Sequence, residues 1–233
     1  MRLYLLQMAL VPASGIPAIS YLIQTDDETH VLVDSGLPRG YAAPELGLEL
    51  RENDYIVAQL AALGLTPHDI RYLICTHFDH DHAGGHDAFV EAELVVQRRH
   101  YEIARTGTHP RFERVRAHWD KPGLRYRLVD GDTTLLPGVE LIASSGHVPG
   151  HQSVLVRLLQ TGPVLLAIDA VTTAARFDPD VAAPGPHDMD LAGVRASTRK
   201  LVALAEREGV QLVVFGHDAE QWRTLKKAPA YYS

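Results

Sequence analysis

The chain has 233 residues, of which 46% are hydrophobic and 22% charged, and its formal net charge is -7. This length allows one large domain with a sizeable core, and we expect residues 1–233 to form a single domain. The acidic balance argues against a nucleic-acid-binding surface, which needs a basic stripe. The apolar start is interrupted by Pro12 and is too short to span a membrane. The single Cys75 can form no internal disulfide, which favours the cytoplasm.

Short β-favouring runs and helical segments alternate along the first half of the chain. Arg39–Leu50 has no clear period and is interpreted as a surface loop or lid. Asp87–Val90 begins a short helix, and Arg98–Arg105 is a second helical segment. An earlier helix is predicted with Ile56, Leu60 and Leu63 on one face, ending at Gly64. The predicted strands of this half are Leu3–Val11, Ile19–Gln24, His30–Asp34, Arg71–Cys75 and Leu94–Gln97.

Strands also dominate the second half. Arg105–Pro122 is polar and is predicted to be irregular, as part of an insertion that covers the substrate. Asp188–Glu208 has the pattern of a long amphipathic helix. This mixture predicts an α/β or α+β domain with sheet inside and helices outside. The predicted strands are Tyr126–Val129, Val139–Ala143, Gln152–Leu159, Val164–Ile168 and Gln211–Phe215.

Side chains that can bind metal follow five predicted strands directly, at the point where each strand ends. A rigid sheet can hold such side chains within the tolerance that a metal ion needs. Imidazole and carboxylate together suit zinc, iron, cobalt or manganese, and two neighbouring ions need roughly six to eight protein donors. The segments are VLVDSG with Asp34, ICTHFDHDH with His77, Asp79, His80, Asp81 and His82, SSGHVPGH with His147 and His151, LLAIDA with Asp169, and VVFGHD with His217 and Asp218.

The stretch from residue 77 to residue 82 is the most informative of these segments. It places three imidazoles and two carboxylates in six consecutive residues. Such a cluster is costly to bury unless a cation compensates its charge. The other segments are weaker when taken alone, since Asp34 could cap a turn and His217 could have a structural role.

Taken in order, VDSG, THFDHDHAGG, GHVPGH, IDA and FGHD resemble the motifs of the metallo-β-lactamase superfamily. Within it the chain is most similar to the N-acyl homoserine lactonases, which degrade bacterial quorum-sensing signals. That likeness extends through VVQRRHYE, VDGDTTLLPGVELIASSGHVPGHQS and FGHDAEQ. It implies an αββα sandwich, with two mixed sheets inside and helices outside. It also implies a hydrolase that opens a lactone ring through a hydroxide bridging two metal ions, and it suggests a homodimer.

The resemblance also implies a set of metal ligands in this chain. Zinc is the expected metal, with iron, cobalt or manganese as alternatives. Asp34 is expected to be buried behind the ligands, and His151 to be a structural partner. One ion is assigned to His77, Asp79 and His147, and the other to Asp81, His82 and His217, with Asp169 bridging the two.

Two positions depart from the pattern of the family. Asp79 stands where most relatives have histidine, which adds a negative charge to the site and favours harder metals. His80 is kept as a less favoured substitute ligand. Thr172 stands where the lactonases carry a tyrosine that assists the lactone oxygen, and its hydroxyl is shorter and less acidic than a phenol. His187 is a speculative replacement, although a surface position is favoured for it.

Asp81, Asp169 and Thr172 are the candidate catalytic residues. Asp81 is expected to take or shuttle the proton released from the attacking water. The leading hypothesis is a lactonase, and a thioester, a phosphodiester or another ester remains open as the substrate. A redox metalloprotein is a third hypothesis. The apolar loop residues that could line an acyl pocket, or simply anchor their loops, are Tyr41, Leu46, Leu48 and Phe112.

Overall fold

A computed structural model describes residues 1–180 and 185–233 of the chain. The strands are β1 (Arg2–Leu10), β2 (Pro17–Gln24), β3 (His30–Val33), β4 (Ala42–Ala43), β5 (Leu48–Glu49), β6 (Ile70–Ile74), β7 (Glu93–Gln97), β8 (Arg125–Val129), β9 (Thr133–Leu136), β10 (Val139–Ala143), β11 (Gln152–Leu158), β12 (Gly162–Ile168) and β13 (Leu212–Phe215). The α-helices are α1 (Ile56–Ala61), α2 (Arg98–Arg105), α3 (Pro110–Glu113), α4 (Arg116–Trp119), α5 (Leu191–Glu208) and α6 (Ala219–Thr224). The 3-10 turns are Pro44–Leu46, Glu52–Asp54, Pro67–Asp69, His86–Ala88 and Ala174–Arg176.

Two large mixed sheets form within the described ranges. The first has the strand order β1-β2-β3-β6-β7-β8. Its first three strands pair antiparallel, and the pairs from β3 onward are parallel. The second sheet has the order β13-β12-β11-β10-β9, with only β12 and β13 pairing parallel among these strands. The parallel pairs matter for the site, because their carboxyl ends carry its side chains.

The alternation of side chains along the strands divides the core into three layers. Leu3 and Leu5 of β1 face inward, where they belong to the same apolar cluster as Leu141 and Leu166 of the second sheet. Leu6, one residue further along β1, belongs to the cluster that packs the outer face of the first sheet against α1 to α4. The outer face of the second sheet packs against α5. The predicted αββα sandwich with helices outside is confirmed.

The segment Arg105–Pro122 is more ordered than its polar composition predicts. It contains the two short helices α3 and α4, and Phe112 and Trp119 are completely buried. The Trp119 indole N–H donates to the Phe112 carbonyl at 3.0 Å, which ties the two helices together. The sequence missed them because one-turn helices are too short to show a period. It also missed β9, α6 and the short paired strands β4 and β5, which lie within the predicted loop Arg39–Leu50.

Among the described residues, no helix is both long enough and apolar enough to cross a membrane.

Candidate metal centre

The side chains with metal-binding groups meet at the carboxyl ends of the parallel strands. Asp34 follows β3 and His77 follows β6, while Asp169 follows β12 and His217 follows β13. His147 lies in the loop between β10 and β11. Both sheets therefore contribute to a single site.

A close approach of the chain beside Asp169 depends on Gly216. A Cβ atom added to Gly216 would lie 2.5 Å from Asp169 Oδ1 and 2.7 Å from the Ile168 carbonyl oxygen. Only glycine fits this position without a shift of the backbone. The approach allows the next residue, His217, to place its Nε2 atom 3.2 Å from both carboxylate oxygens of Asp169.

Asp169 lies at the centre of the site. Its Oδ2 atom is 3.2 Å from the Nε2 atom of His147, 3.6 Å from that of His82 and 3.8 Å from that of His77. The carboxylate thus faces four imidazoles and is almost completely buried. A carboxylate in this position is suited to bridge two cations.

The four central histidines each use Nδ1 for a contact outside the centre, which leaves Nε2 directed inward. His82 donates to Asp34 at 2.8 Å and His147 donates to Asp188 at 2.8 Å. His217 donates to the Pro17 carbonyl at 2.8 Å. Since the Thr76 hydroxyl donates to Asp34, its oxygen can accept from His77 Nδ1 at 3.0 Å. Such outer partners fix the tautomer and orientation of metal-binding histidines.

The inward-facing atoms fit a pair of divalent cations. Within residues 1–180 and 185–233, the buried Nε2 atoms of His77 and His82 and the Oδ1 atom of Asp169 have no hydrogen-bond partner. Leaving buried polar atoms unpaired is costly unless a ligand satisfies them. Two clusters have ligand atoms within 4.8 Å of one another, one formed by His77, His147 and Asp169 and the other by Asp81, His82 and His217.

Asp79 lies beside the first of these clusters and has a partner that the sequence did not indicate. Its Oδ2 atom is 3.2 Å from His77 Nε2 and 3.3 Å from His147 Nε2. Arg111 of α3 also donates to both oxygens of this carboxylate, from Nε to Oδ1 at 2.5 Å and from Nη2 to Oδ2. The guanidinium therefore partly neutralises the extra negative charge that Asp79 brings.

The electrostatics of the side chains in the site show a demand for positive charge. Burial alone would raise the pKa of Asp169, but His217, His82 and His147 hold it well below the usual range. Burial opposes protonation of His147 and His217, yet the surrounding carboxylates, Asp169 foremost, raise the pKa of each to about 9. Protons and Arg111 thus balance the carboxylates, and divalent cations bound here would take over that role.

The remaining predicted residues lie close to the centre but outside it. Asp34 is completely buried, and its contact with His82 confirms the position expected for it. His151 is buried and its Nδ1 atom is 2.9 Å from the Ser144 hydroxyl, as a structural partner would be. The His80 ring packs against Tyr41 in a tilted arrangement, and His80 belongs to neither cluster of possible ligands in the described residues. Thr172 lines a small cavity beside Asp169 and accepts from the His217 backbone N–H through its carbonyl.

The loop residues considered for an acyl pocket mostly have another role. Phe112 is fully buried, Leu48 is 9% exposed, and Tyr41 contacts His80, so these three anchor their segments. Leu46 is 48% exposed. The His187 side chain is exposed, and its backbone carbonyl is what meets the site, by accepting from Arg111 Nη1.

Sequence reasoning missed Arg111, Asp188 and His100. Asp188 fixes the orientation of His147. His100 accepts from the Phe78 backbone N–H through Nε2 at 2.9 Å, which holds the turn that carries the ligands on either side of Phe78. Arg111 and Asp188 lie in no motif, whereas His100 lies within VVQRRHYE, whose likeness to the lactonases assigned it no role. Each is a polar residue in a segment that the fold brings against the site.

The fold and this site define a metallohydrolase of the metallo-β-lactamase class, and comparison with known proteins agrees. The family model described as the metallo-beta-lactamase superfamily matches residues 15–217. The chain therefore belongs to the metallo-β-lactamase superfamily.

Within that superfamily the chain is similar to N-acyl homoserine lactonases. It is 37% identical over 228 residues to one from a Bacillus species, which covers 93% of this chain and 87% of the relative. It is 39% identical over 243 residues to the lactonase AttM of Azorhizobium caulinodans, which covers 93% of this chain and 88% of the relative. A solved N-acyl homoserine lactone hydrolase, with N-hexanoyl-L-homoserine bound at its catalytic metal centre, has a TM-score of 0.85 and 30% identity; it covers 99% of this chain and 98% of that one.

Proposed function

We propose that this protein is a metal-dependent hydrolase that opens the ring of N-acyl homoserine lactones. The observation that carries the proposal is the convergence of unpartnered, inward-facing Nε2 atoms on the buried carboxylate of Asp169. The similarity to lactonases supports the choice of substrate, since relatives with that activity match most of the chain.

The proposed ligands fall into two positions, which we name after their place in the site. The deep position consists of His77, Asp79 and His147. The outer position consists of Asp81, His82 and His217. Asp169 belongs to both as the bridging carboxylate, and zinc is the metal we propose for each.

Divalent ions held there would supply Lewis acidity toward a carbonyl oxygen and make a water acidic enough to attack at neutral pH. The side chains of the protein have two roles here, which are to hold the two metal positions in place and to receive the proton. Asp169 spaces the two positions, because its oxygens face imidazoles of both. The Asp81 carboxylate, whose side chain is 19% exposed, can be reached by solvent, and we assign to it the transfer of the proton.

The presence of a threonine at position 172 favours a second candidate substrate. Its hydroxyl is shorter than the phenol that the resemblance leads one to expect, so it is less able to contact a lactone oxygen at the same place. The same site could then act on another ester, a thioester or a phosphodiester. In the lactonase proposal Thr172 lines the substrate side of Asp169, where it already borders the cavity.

The test joins metal analysis with a direct assay of ring opening. Purified protein is analysed for bound metal, and proton release is followed on a homoserine lactone with a medium acyl chain. We expect about two metals per chain and ring opening that chelation abolishes and Zn²⁺ restores. Two bound metals without ring opening would reject the lactonase assignment and direct the assays to thioesters and phosphodiesters. A chain that takes up no metal would reject the metal centre.

Three further assignments remain proposals. We propose that residues 1–233 act as a single domain, on the basis of chain length. We propose a cytoplasmic location because the single Cys75 forms no disulfide and is buried. A homodimer rests on the resemblance alone, and sedimentation at several concentrations would test it.

A further inference from the structure

Arg111 reaches into the site from α3, at the edge of the deep position. Its side chain is 24% exposed, and its neighbour Phe112 is completely buried, which fixes the short helix against the core. The guanidinium makes contacts on three sides. Nε and Nη2 donate to the two carboxylate oxygens of Asp79. Nη2 also lies 2.6 Å from His147 Nε2, and Nη1 donates to the His187 carbonyl.

Two of these contacts involve the atoms that a metal ion would need. His147 Nδ1 contacts Asp188, so its Nε2 atom faces the site, and Arg111 Nη2 lies against that Nε2 atom. The same Nη2 atom donates to Asp79 Oδ2, the oxygen closest to His77 Nε2. A guanidinium nitrogen in contact with both of these atoms takes up the space that an ion would need to reach them. The guanidinium and a cation at the deep position therefore exclude each other.

The outer position has a different set of charge partners. Asp81 forms its ion pairs with imidazoles, those of His80, His82 and His217. An imidazole can itself act as a ligand, whereas a guanidinium has no free lone pair for a metal ion and can only move away. An ion can thus enter the outer position without driving out a charged side chain. At the deep position it must displace a side chain held by a bidentate, charge-assisted contact.

We propose that Arg111 is an internal cation that occupies the deep position until a metal ion displaces it. The outer position consequently fills first, and the deep position fills second and with lower affinity. This inference rests on the ligand set of the proposed function. It assigns to Arg111 control over how many ions the protein holds at a given metal concentration.

The test is a titration of the metal-free full-length chain with Zn²⁺, in competition with a chromophoric chelator. Arg111→Met removes the charge and all donors but keeps a flexible apolar side chain. Arg114→Met is the matched control, because Arg114 is exposed, lies at the end of the same helix and carries the same charge. No substrate is present, so the readout is independent of catalysis.

In the wild-type chain we expect two binding steps of different affinity. A hydrogen bond to a charged group is strong enough to change an equilibrium by roughly tenfold to a hundredfold. We therefore expect Arg111→Met to tighten the weaker step by about tenfold or more and to leave the tighter step unchanged. Arg114→Met should follow the wild type in both steps.

Two results would overturn the proposal. Equal affinities for the two ions in the wild type, unchanged in Arg111→Met, would show that the guanidinium does not compete. A weaker second step in Arg111→Met would show that Arg111 orients Asp79 as a ligand instead. If Arg111→Met does not fold, Arg111→Lys replaces it: lysine keeps the charge but lacks the planar fork, and a smaller tightening of the same step is expected.

The titration also separates this inference from the proposed function. A wild-type chain that binds two ions in the expected order but opens no lactone would contradict the substrate and leave the role of Arg111 intact. Ring opening by a protein whose two ions bind equally in both variants would contradict only the role of Arg111. A chain that binds no Zn²⁺ would contradict both.

Discussion

The deep and outer positions have the same chemical composition, two histidines and one aspartate each, but different surroundings. In the deep position His77 is fully buried and His147 is 4% exposed. In the outer position the side chains of Asp81 and His217 are about one-fifth exposed. Of the two positions, Arg111 contacts only the deep one in the part of the chain that the structure describes. Ligand type alone thus does not decide how a position behaves; burial and the nearest fixed charge distinguish the two.

The largest expected effect comes from removing what the two positions share. Asp169→Asn takes the only bridging anion of the proposed set away from four imidazoles. We expect metal affinity at both positions to fall by more than about a hundredfold. This loss is larger than the one expected when a residue that only hydrogen-bonds to a ligand is replaced. Hydrolysis should be lost together with the metal ions. Elemental analysis and the proton-release assay measure both quantities.

Asp180→Asn is the control for this change, because it removes the same charge at an exposed position on the segment that follows Asp169. It should bind two ions and retain activity. An Asp169→Asn protein that keeps two metals and full activity would contradict a bridging role.

A smaller effect should separate the two positions from each other. Asp188 accepts from His147 and so acts on the deep position, whereas the outer His82 uses Asp34 for this purpose. Asp188→Asn weakens the hydrogen bond that fixes the His147 tautomer. We expect a roughly tenfold to hundredfold loss of metal affinity, confined to the weaker of the two binding steps. Zn²⁺ titration of the metal-free protein measures each step.

Asp190→Asn tests whether this loss is specific, since Asp190 is exposed and lies two residues further along the same loop. Its two affinities should match those of the wild type. Equal losses at both steps in Asp188→Asn would mean that the two positions are not independent of one another.

The smallest effect concerns the buried support behind the deep position. Burial lowers the pKa of His100 to about 4, although its hydrogen bond to the Pro149 carbonyl opposes the shift. Because the folded pKa lies below that of the unfolded chain, about 6.5, the unfolded state binds more protons between these values. The contribution of His100 to stability is therefore complete above pH 6.5 and is lost as the pH falls toward 4.

His100→Gln should lower the free energy of unfolding at pH 7.5 by about 1–3 kcal/mol, because buried hydrogen bonds are disturbed. Its loss of stability between pH 6.5 and pH 4.5 should be smaller than that of the wild type. Urea unfolding of chelator-treated protein at both pH values measures this without interference from metal release. An unchanged pH dependence in His100→Gln would assign the acid sensitivity to other groups.

Much of the fold could be read from local patterns. The helix Arg98–Arg105 and the strand Val139–Ala143 have the predicted bounds, and most other strands differ by one or two residues at an end. The prediction that Arg105–Pro122 is irregular was wrong. Charged residues separate Phe112 from Trp119 and hide the apolar side of two one-turn helices. The helix predicted from Asp188 starts at Leu191 instead. The intervening residues are used for the site, since the Asp188 side chain accepts from His147.

The sequence by itself predicted where most strands lie along the chain, and its resemblance to the lactonases implied the proposed ligands. Four of these ligands, His77, Asp79, Asp81 and His82, lie within one short motif, and Asp169 directly follows an apolar strand. Only the tertiary structure decided that the two positions differ. Arg111 is 32 residues from Asp79, and Asp188 is 41 residues from His147, so no local pattern couples them. Their contacts exist because the packing of α3 and of the loop before α5 brings charged groups together beside buried ligands, where electrostatic interactions are strong. We propose that a single guanidinium there controls which position is open to a metal ion.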